Sequence, residues 1–284
     1  MYPAQFDYVR AGSAAEASEL LARNPGAKLL AGGHSLIPVL KLRLAAPPKI
    51  IDIGRIAELR GISSAGGTLR IGALTTHAAI AASADVKSGA RALAEAAGMI
   101  GDPAVRNRGT IGGNVAHADP ASDLPTVLVA LGATIHVSGP GGRAIPAAEF
   151  FRGLMETALG EHELVTAVEV PVGGPGQSYV KFSHPASRYA VIGVAAAVTA
   201  KDGKCASASV AIGGLTMAPV RLSGVEAALV GQALTGDAIA AAAAHTGAGL
   251  GDDLMGDIYA SAEYRKSVAP VYVRRAITAA AGRL

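Results

Sequence analysis

The residues best suited to chemistry lie between 106 and 125, where the chain reads RNRGTIGGNVAHADPASDLP. A glycine loop at 109–114 (Gly-Thr-Ile-Gly-Gly-Asn) runs straight into a polar, helix-starting stretch that carries Asp119 and Asp123. Glycine tolerates positive φ and lets a ligand approach the main chain closely. Successive N–H groups turned inward make a nest for an anion such as phosphate. The aspartates do not serve phosphate, but carboxylates accept hydrogen bonds from ribose hydroxyls or ring N–H donors. Loop and carboxylates together suit a nucleotide-type cofactor with a diphosphate and sugars. The same residues also suit a tight turn into a capped helix with Asp123 as a surface charge, and this stretch alone leaves both readings open.

A second glycine turn lies earlier. Residues 27–31 read as a buried apolar strand, Gly32-Gly33-His34-Ser35 as a turn, and residues 36–44 as helical, with Lys41 and Arg43 near the end. Strand, glycine turn and helix start can bind a diphosphate on backbone amides. The segment is neither the G-x-G-x-x-G fingerprint nor a P-loop, and a plain strand-to-helix turn has the same pattern. Two such turns can clamp a diphosphate from both sides, which is how a long dinucleotide such as FAD can be held. Other chemistries are poorly served. No H-E-x-x-H, C-x-x-C or His/carboxylate cluster supports a metal, and no G-x-S-x-G elbow is present. Asp119 and Asp123 can share a helix face but have no acid–base partners for glycoside hydrolysis.

With 284 residues the chain has room for one large or two modest domains. Hydrophobic residues make up 50% against 17% charged, so a substantial core is available and disorder is not expected. The net charge of +3, from 25 basic and 22 acidic residues, gives no case for a nucleic-acid partner. A single cysteine, Cys205, excludes an internal disulfide framework and a cysteine-ligated iron–sulfur cluster within this chain. The first residues, MYPAQFDYVR, have no apolar run of the signal-peptide kind. The alanine runs are too short and weakly apolar to span a bilayer. No integral membrane segment is expected, and the expected location is the cytoplasm.

The elements that must position these residues follow from pattern. A strand at 6–9 precedes a helix at 14–23, with Ser13 as N-cap and Glu16 at the capping-box position. Next come a strand at 49–53, a hairpin turning at Gly66-Gly67, and a helix capped by Thr75 or Thr76. His77 at its start is either structural or a ligand contact. An alanine-rich helix is expected at 86–100 and a buried helix at 124–131. A strand at 133–137, a turn at 140–142, a strand end with a short helix at 144–151 and a strand at 164–170 complete this part. Residues 173–176 (Gly-Gly-Pro-Gly) read as a linker. Beyond them lie strands at 178–184, 189–201 and 206–213, an antiparallel meander turning at Asp202-Gly203. Helices follow at 225–230, 238–244 and 263–280, the last with Tyr264, Val268, Val271 and Ile277 on one side.

Residues 31–38 (Ala-Gly-Gly-His-Ser-Leu-Ile-Pro), 107–114 and 116–125 resemble the two FAD-binding motifs of the molybdenum hydroxylase flavoprotein subunits. These are the medium subunits of carbon monoxide dehydrogenase-like enzymes and the FAD domain of xanthine dehydrogenase. Residues 71–77, Lys181-Phe182 with Arg188-Tyr189, and residues 261–265 also resemble that family, so the likeness runs through the whole chain in order. One departure is Ala104, where relatives often carry glutamine. The resemblance implies an α+β fold: a two-subdomain FAD-binding domain of the vanillyl-alcohol-oxidase-like type at 1–175, then a smaller α+β domain with a three-stranded antiparallel sheet at 176–284. It implies FAD as cofactor. Its partners are a large molybdopterin subunit and a small subunit with two [2Fe–2S] clusters, in a heterotrimer that is often doubled. Electrons leave substrate at molybdenum, cross the clusters singly, collect on the flavin and pass to an acceptor.

By that resemblance Ala31, Gly32, Gly33, His34, Ser35 and Leu36 form the first motif, with the residues from Gly32 on holding the diphosphate mainly by backbone N–H groups. Thr110, Gly112, Gly113 and Asn114 do the same from the other side, Thr110 and Asn114 adding side-chain bonds. Asp123 is expected to accept from a ribose hydroxyl, and Leu164 to contact the adenine or the ring edge. Lys181 is expected near a ring carbonyl or N1, where a cation stabilises the reduced anion, unless it is an outward-facing strand lysine. Tyr189 is expected against the ring, or packed between domains. No residue is required as a catalytic acid or base. A self-sufficient flavoenzyme and a nucleotide-binding assembly module without flavin are the competing readings. The first lacks an acid–base set, and the intact glycine turns disfavour the second.

Overall fold

The computed structural model describes residues 1–139, 142–248, 250–251 and 253–284, so the turn expected at 140–142 has its residues 140 and 141 outside the described residues. Among the described residues three larger sheets organise the chain, beside a small pair of strands, Phe151–Gly153 and Glu156–Thr157. The first is parallel, with Lys49–Asp52 between Asp7–Arg10 and Lys28–Leu30. Helix Ala14–Arg23 links its first two strands in sequence, and Ser13 caps it, accepting from the Glu16 N–H at 3.1 Å. The Glu16 carboxylate reaches back past the cap to the Gly12 N–H at 2.7 Å, one residue earlier than a capping box requires.

The second sheet is antiparallel, in the order Ile62–Ala65, Thr68–Gly72, Leu164–Pro171, Thr134–Ser138, Arg143–Pro146. Its buried face carries Leu69, Ile71, Ile135, Val137, Val168 and Val170, and it packs on the helices Arg91–Met99, Ile111–His117 and Asp123–Ala130. The helix expected at 86–100 is broken into Ala84–Gly89 and Arg91–Met99. The Gly89 carbonyl at the break accepts from the Gly173 N–H at 2.8 Å and from Gln177 Nε2 at 3.3 Å, so the linker docks where the helix stops. Two further helices, Pro103–Arg108 and Ile111–His117, occupy what reads as loop in the sequence. Asp102 caps the first and Thr110 the second.

The third sheet has the order Gln177–Ser183, Ala190–Lys201, Lys204–Gly213, Val220–Arg221. It thus has four strands rather than the expected three. The fourth is two residues long, too short to show any alternation. The Asp202-Gly203 turn takes φ of 52° and 74°, the double left-handed geometry of a two-residue hairpin. One face of this sheet presents Ile192, Val194, Val210 and Ile212 to the helices Ser223–Leu229, Gly236–Ala243 and Ala262–Ala281. The other presents Tyr179, Ala195 and Ala211 to the core shared with the second sheet. The last helix buries Ala269, Val273, Ala276, Ile277 and Ala280. Of the four residues read as sharing one side, Ile277 is buried while Tyr264 and Val271 are 49% and 37% exposed; the alanines among the buried residues let the helix lie close to the sheet. Among the described residues no helix is long and apolar enough to cross a membrane.

Candidate functional site

The two glycine motifs meet. A side chain at Gly32 would collide with the Arg108 carbonyl, and the outer face of Gly113 looks toward the Ala31 methyl, 3.9 Å from where a Cβ would stand. His34 adds a bridge, its Nε2 lying 3.2 Å from the Ala104 carbonyl. The position that departs from the family pattern thus contributes through its backbone, which alanine supplies as well as glutamine.

The two motifs are not equivalent. In the first, Gly33 has φ 78°, and Ser35 starts helix Leu36–Lys41 without capping it. Among the described residues no hydrogen bond engages the N–H groups of Gly32, Gly33, His34, Ser35 or Leu36. Exposed or half-buried donors in such a run are a ready acceptor site for an anion. In the second motif the donors are spent apart from that of Thr110, whose N–H has no partner among the described residues. The N–H of Ile111 bonds to the Thr75 carbonyl at 3.0 Å, that of Gly112 to Ala73 at 2.8 Å, and that of Asn114 to Thr110 at 3.0 Å, while Gly113 donates to Thr110 Oγ1 at 3.2 Å. This corrects the expectation that Gly112, Gly113 and Asn114 grip a diphosphate by main-chain donors. Gly112 is buried for packing, since a Cβ there would sit 2.5 Å from the Ala73 Cβ. Gly113 is exposed and offers a bare surface to a ligand. Asn114 donates from Nδ2 to Ser122 Oγ at 3.0 Å, and its buried Oδ1 has no partner among the described residues.

Beyond Asn114 the chain turns through Ala118 at φ 49° into helix Asp123–Ala130. Asp123 is 4% exposed. Its Oδ1 accepts from the Tyr179 hydroxyl at 2.5 Å and its Oδ2 from Lys181 Nζ at 2.8 Å. The expected open carboxylate is therefore closed by two donors of the third sheet. Burial pushes the Asp123 carboxyl up, and Lys181 and Tyr179 pull it part of the way back. Burial, and then Asp123, holds the Tyr179 phenol well above its ordinary value, so this hydroxyl donates. The Lys181 side chain is 1% exposed and also reaches the Met99 carbonyl at 3.3 Å. It is not the outward-facing lysine that a strand position allows. Tyr189 is 43% exposed, at the end of a loop strained by Arg188 at φ 59°. Its phenol is raised by burial, then by the charges of Asp119 and Asp123. Leu164 is 2% exposed, inside the apolar cluster against which Ala31 packs. It supports the first turn from below.

Tyr179 belongs to this site although no sequence motif marks it, and His77, read as structural or a ligand contact, lies beside it. His77 is 3% exposed with its Nδ1 unpartnered, and a Cβ on Gly109 would stand 2.8 Å from its ring. The signal for Tyr179 lay in two glycines of the third sheet. A Cβ on Gly193 would strike the Tyr179 hydroxyl, and one on Gly213 would strike Thr126 Oγ1. A cavity of about 360 Å³ lined by Ala14, Glu58, Arg60, Ser63, Arg70 and Thr166 opens elsewhere and touches none of these residues. No group of three or more metal-ligating side chains occurs among the described residues.

Residues 4–173 match the family described as the FAD binding domain in molybdopterin dehydrogenase, and residues 177–280 match the CO dehydrogenase flavoprotein C-terminal domain. The carbon monoxide dehydrogenase medium chain of Hydrogenophaga pseudoflava is 40% identical over 286 residues, covering 99% of this chain and 98% of its own length. The glyceraldehyde dehydrogenase medium chain of Sulfolobus acidocaldarius is 43% identical over 241 residues, 84% of this chain and 86% of its own. Among solved structures, the carbon monoxide dehydrogenase of Hydrogenophaga pseudoflava lacking the Mo-pyranopterin moiety matches with a TM-score of 0.95 at 40% identity, over 100% of this chain and 99% of that one.

Proposed function

From the premise that the chain belongs to the FAD-binding medium subunits of the molybdenum hydroxylases, we propose that it is their electron-relay element. It receives electrons from the [2Fe–2S] clusters of a small partner subunit, fed by substrate oxidation in a large molybdopterin subunit, and hands them to an external acceptor. The assembly is a heterotrimer, doubled in the complete enzyme. FAD, the cofactor of this oxidoreductase subunit, supplies the chemistry, exchanging electrons one or two at a time.

The residues present fit that cofactor, and the observation that carries the reading is the run of five unpaired N–H groups from Gly32 to Leu36. They match the acceptor-only oxygens of a diphosphate. Gly113 supplies the opposing bare surface, Thr110 its capping hydroxyl, and Asn114 an unpartnered amide oxygen for a hydroxyl or ring donor. Lys181, paired with Asp123, would lie toward the isoalloxazine and Tyr189 would shield the ring from solvent, while Ala31 and Leu164 wall the first turn. We read residues 1–175 as the FAD-binding domain, its parallel and antiparallel sheets forming the two halves of a vanillyl-alcohol-oxidase-like unit, and 176–284 as the domain that carries Lys181 and Tyr189 to it.

The two glycines give a test. Gly113→Val fills the ligand face. It is expected to purify without flavin absorbance, while its flavin-free form loses only the helix cap, about 1 kcal/mol or 2–4 °C, because the new Cβ would stand 2.9 Å from the capping Thr110 Oγ1. Gly112→Val strikes Ala73 and is expected to lower the melting temperature whether or not FAD is present. Full flavin occupancy in Gly113→Val would remove the second motif from the site. Turnover of an organic substrate by the chain alone would show a self-sufficient enzyme in place of a relay.

A further inference from the structure

We infer that Tyr179 is a positioning residue of the flavin site, fastening Asp123 so that Lys181, buried in the wall of the site, acts on the cofactor ring through space as a fixed and compensated charge. The inference rests on the placement of Lys181 proposed above, and it concerns a residue that neither glycine motif contains.

The geometry is that of a built device. Tyr179 and Lys181 lie two apart on strand Gln177–Ser183, so both point to the same face. Asp123 takes one on each carboxylate oxygen, at 2.5 Å and 2.8 Å. The Tyr179 backbone is held too, its N–H donating to Glu95 Oε2 at 3.0 Å. Room for the hydroxyl is cleared in the next strand by Gly193, the cross-strand partner of Lys181, where any Cβ would overlap the phenol oxygen. A tyrosine merely filling core needs no such clearance and no ionised acceptor. A buried carboxylate is costly unless its lone pairs are occupied, and Lys181 alone occupies one oxygen.

Without the phenol, Oδ1 faces an apolar core, and Asp123 takes up a proton at a higher pH than in the intact chain. Lys181 then loses its counter-charge while keeping its own, and the negative charge of the reduced ring is stabilised further. The titratable and charged groups facing Asp123 are few. Tyr179 and Lys181 come from the third sheet, Tyr189 from the loop before Ala190, and Asp119 from the turn before the helix. Glu95, engaged by Arg91 and Arg283, comes from helix Arg91–Met99. The remainder of helix Asp123–Ala130 is uncharged.

The experiment uses the full chain as Tyr179→Phe, loaded with FAD and also free of it. Redox titration from pH 6 to 8.5 reads the midpoint potential. Infrared spectroscopy of the flavin-free chain reads the protonated-carboxyl band, assigned with Asp123→Asn. The expected result is a potential more positive than wild type at pH 6 by at least a tenfold shift of the two-electron equilibrium, about 30 mV, closing toward pH 8.5. The acid band is expected to persist to higher pH. A variant that melts earlier but keeps the wild-type potential and the wild-type band has lost only packing, and that overturns the inference. Should Tyr179→Phe not fold, Gly193→Ala crowds the hydroxyl without removing it. A shift in the same direction supports the inference, and a wild-type potential there overturns it. A wild-type potential in Lys181→Met would instead remove Lys181 from the ring, which is a failure of the proposed function, while the infrared band still decides whether Tyr179 holds Asp123.

Discussion

His77 lies 3% exposed beside the meeting point of the two glycine motifs, its backbone N–H on the Gly109 carbonyl at 3.0 Å and its Nδ1 without a partner among the described residues. Burial, and secondarily His34, pushes its pKa down from 6.5 to about 4. The ring is therefore neutral in the folded chain at neutral pH and charged in the unfolded chain below about 6.5. Protons bind the unfolded state more readily in that window, so stability falls as pH drops from 6.5 to about 4 and is unaffected above it. The gap corresponds to about 3 kcal/mol at full protonation. His77→Phe is expected to melt near wild type at pH 7 and clearly above it at pH 5. Equal acid sensitivity in the two chains would show that the imidazole is not buried neutral. At this scale the sequence marked the turns whose backbone lies bare, at Gly32, Gly33 and Gly113. It could not tell which donors were free. That depends on Ala73 and Thr75, far away in the chain, whose carbonyls consume the N–H groups of Gly112 and Ile111.

The third sheet works as an element because its two faces carry different sizes of side chain. Strand Ala190–Lys201 turns Ile192, Val194 and Val198 to the helices behind it, and Gly193 and Ala195 to the core shared with the second sheet. Gly193 pairs with Gly213 across the sheet, so the two bare positions form one slot. Helix Asp123–Ala130 drops into it, with Thr126 over Gly213. Alternation was enough to read these strands, and the Asp202-Gly203 turn was enough to pair them. The slot was hidden, because glycine in a strand signals close approach without saying of what. Gly213→Ala is expected to cost about 1–3 kcal/mol, the usual penalty for overpacking, as a lower denaturant midpoint. Gly236→Ala, with nothing within 4 Å of a new Cβ at a helix start, is its control, expected to hold or gain about 0.5 kcal/mol. Equal midpoints in the two variants would mean that the helix does not lie as close to the sheet as described.

At the scale of the whole molecule the C-terminal domain is fastened to the first at several points. Gln177 Nε2 reaches the Gly89 carbonyl at 3.3 Å, Tyr179 and Lys181 hold Asp123, and Ser209 Oγ donates to the Ala130 carbonyl. The chain end closes the joint. Arg283 pairs with Glu95 Oε1 at 2.7 Å and donates to the Gln177 carbonyl. Glu95 in turn binds the Tyr179 N–H, so the last helix, the domain joint and the buried carboxylate form one connected network. A change of texture after residues 173–176 was legible in sequence. The joint was not, because Glu95 and Arg283 read as two unremarkable surface charges. With both side chains about one-quarter exposed, the pair is partly screened and contributes about 1 kcal/mol. Arg283→Ala is therefore expected to lower the melting temperature by about 2–4 °C. Flavin fluorescence and far-ultraviolet circular dichroism are expected to keep reporting one coincident transition, because the Asp123 contacts still join the domains. If the two probes separated, the domains would be melting independently. The C-terminal arginine, rather than the buried triad, would then be what makes them a single folding unit.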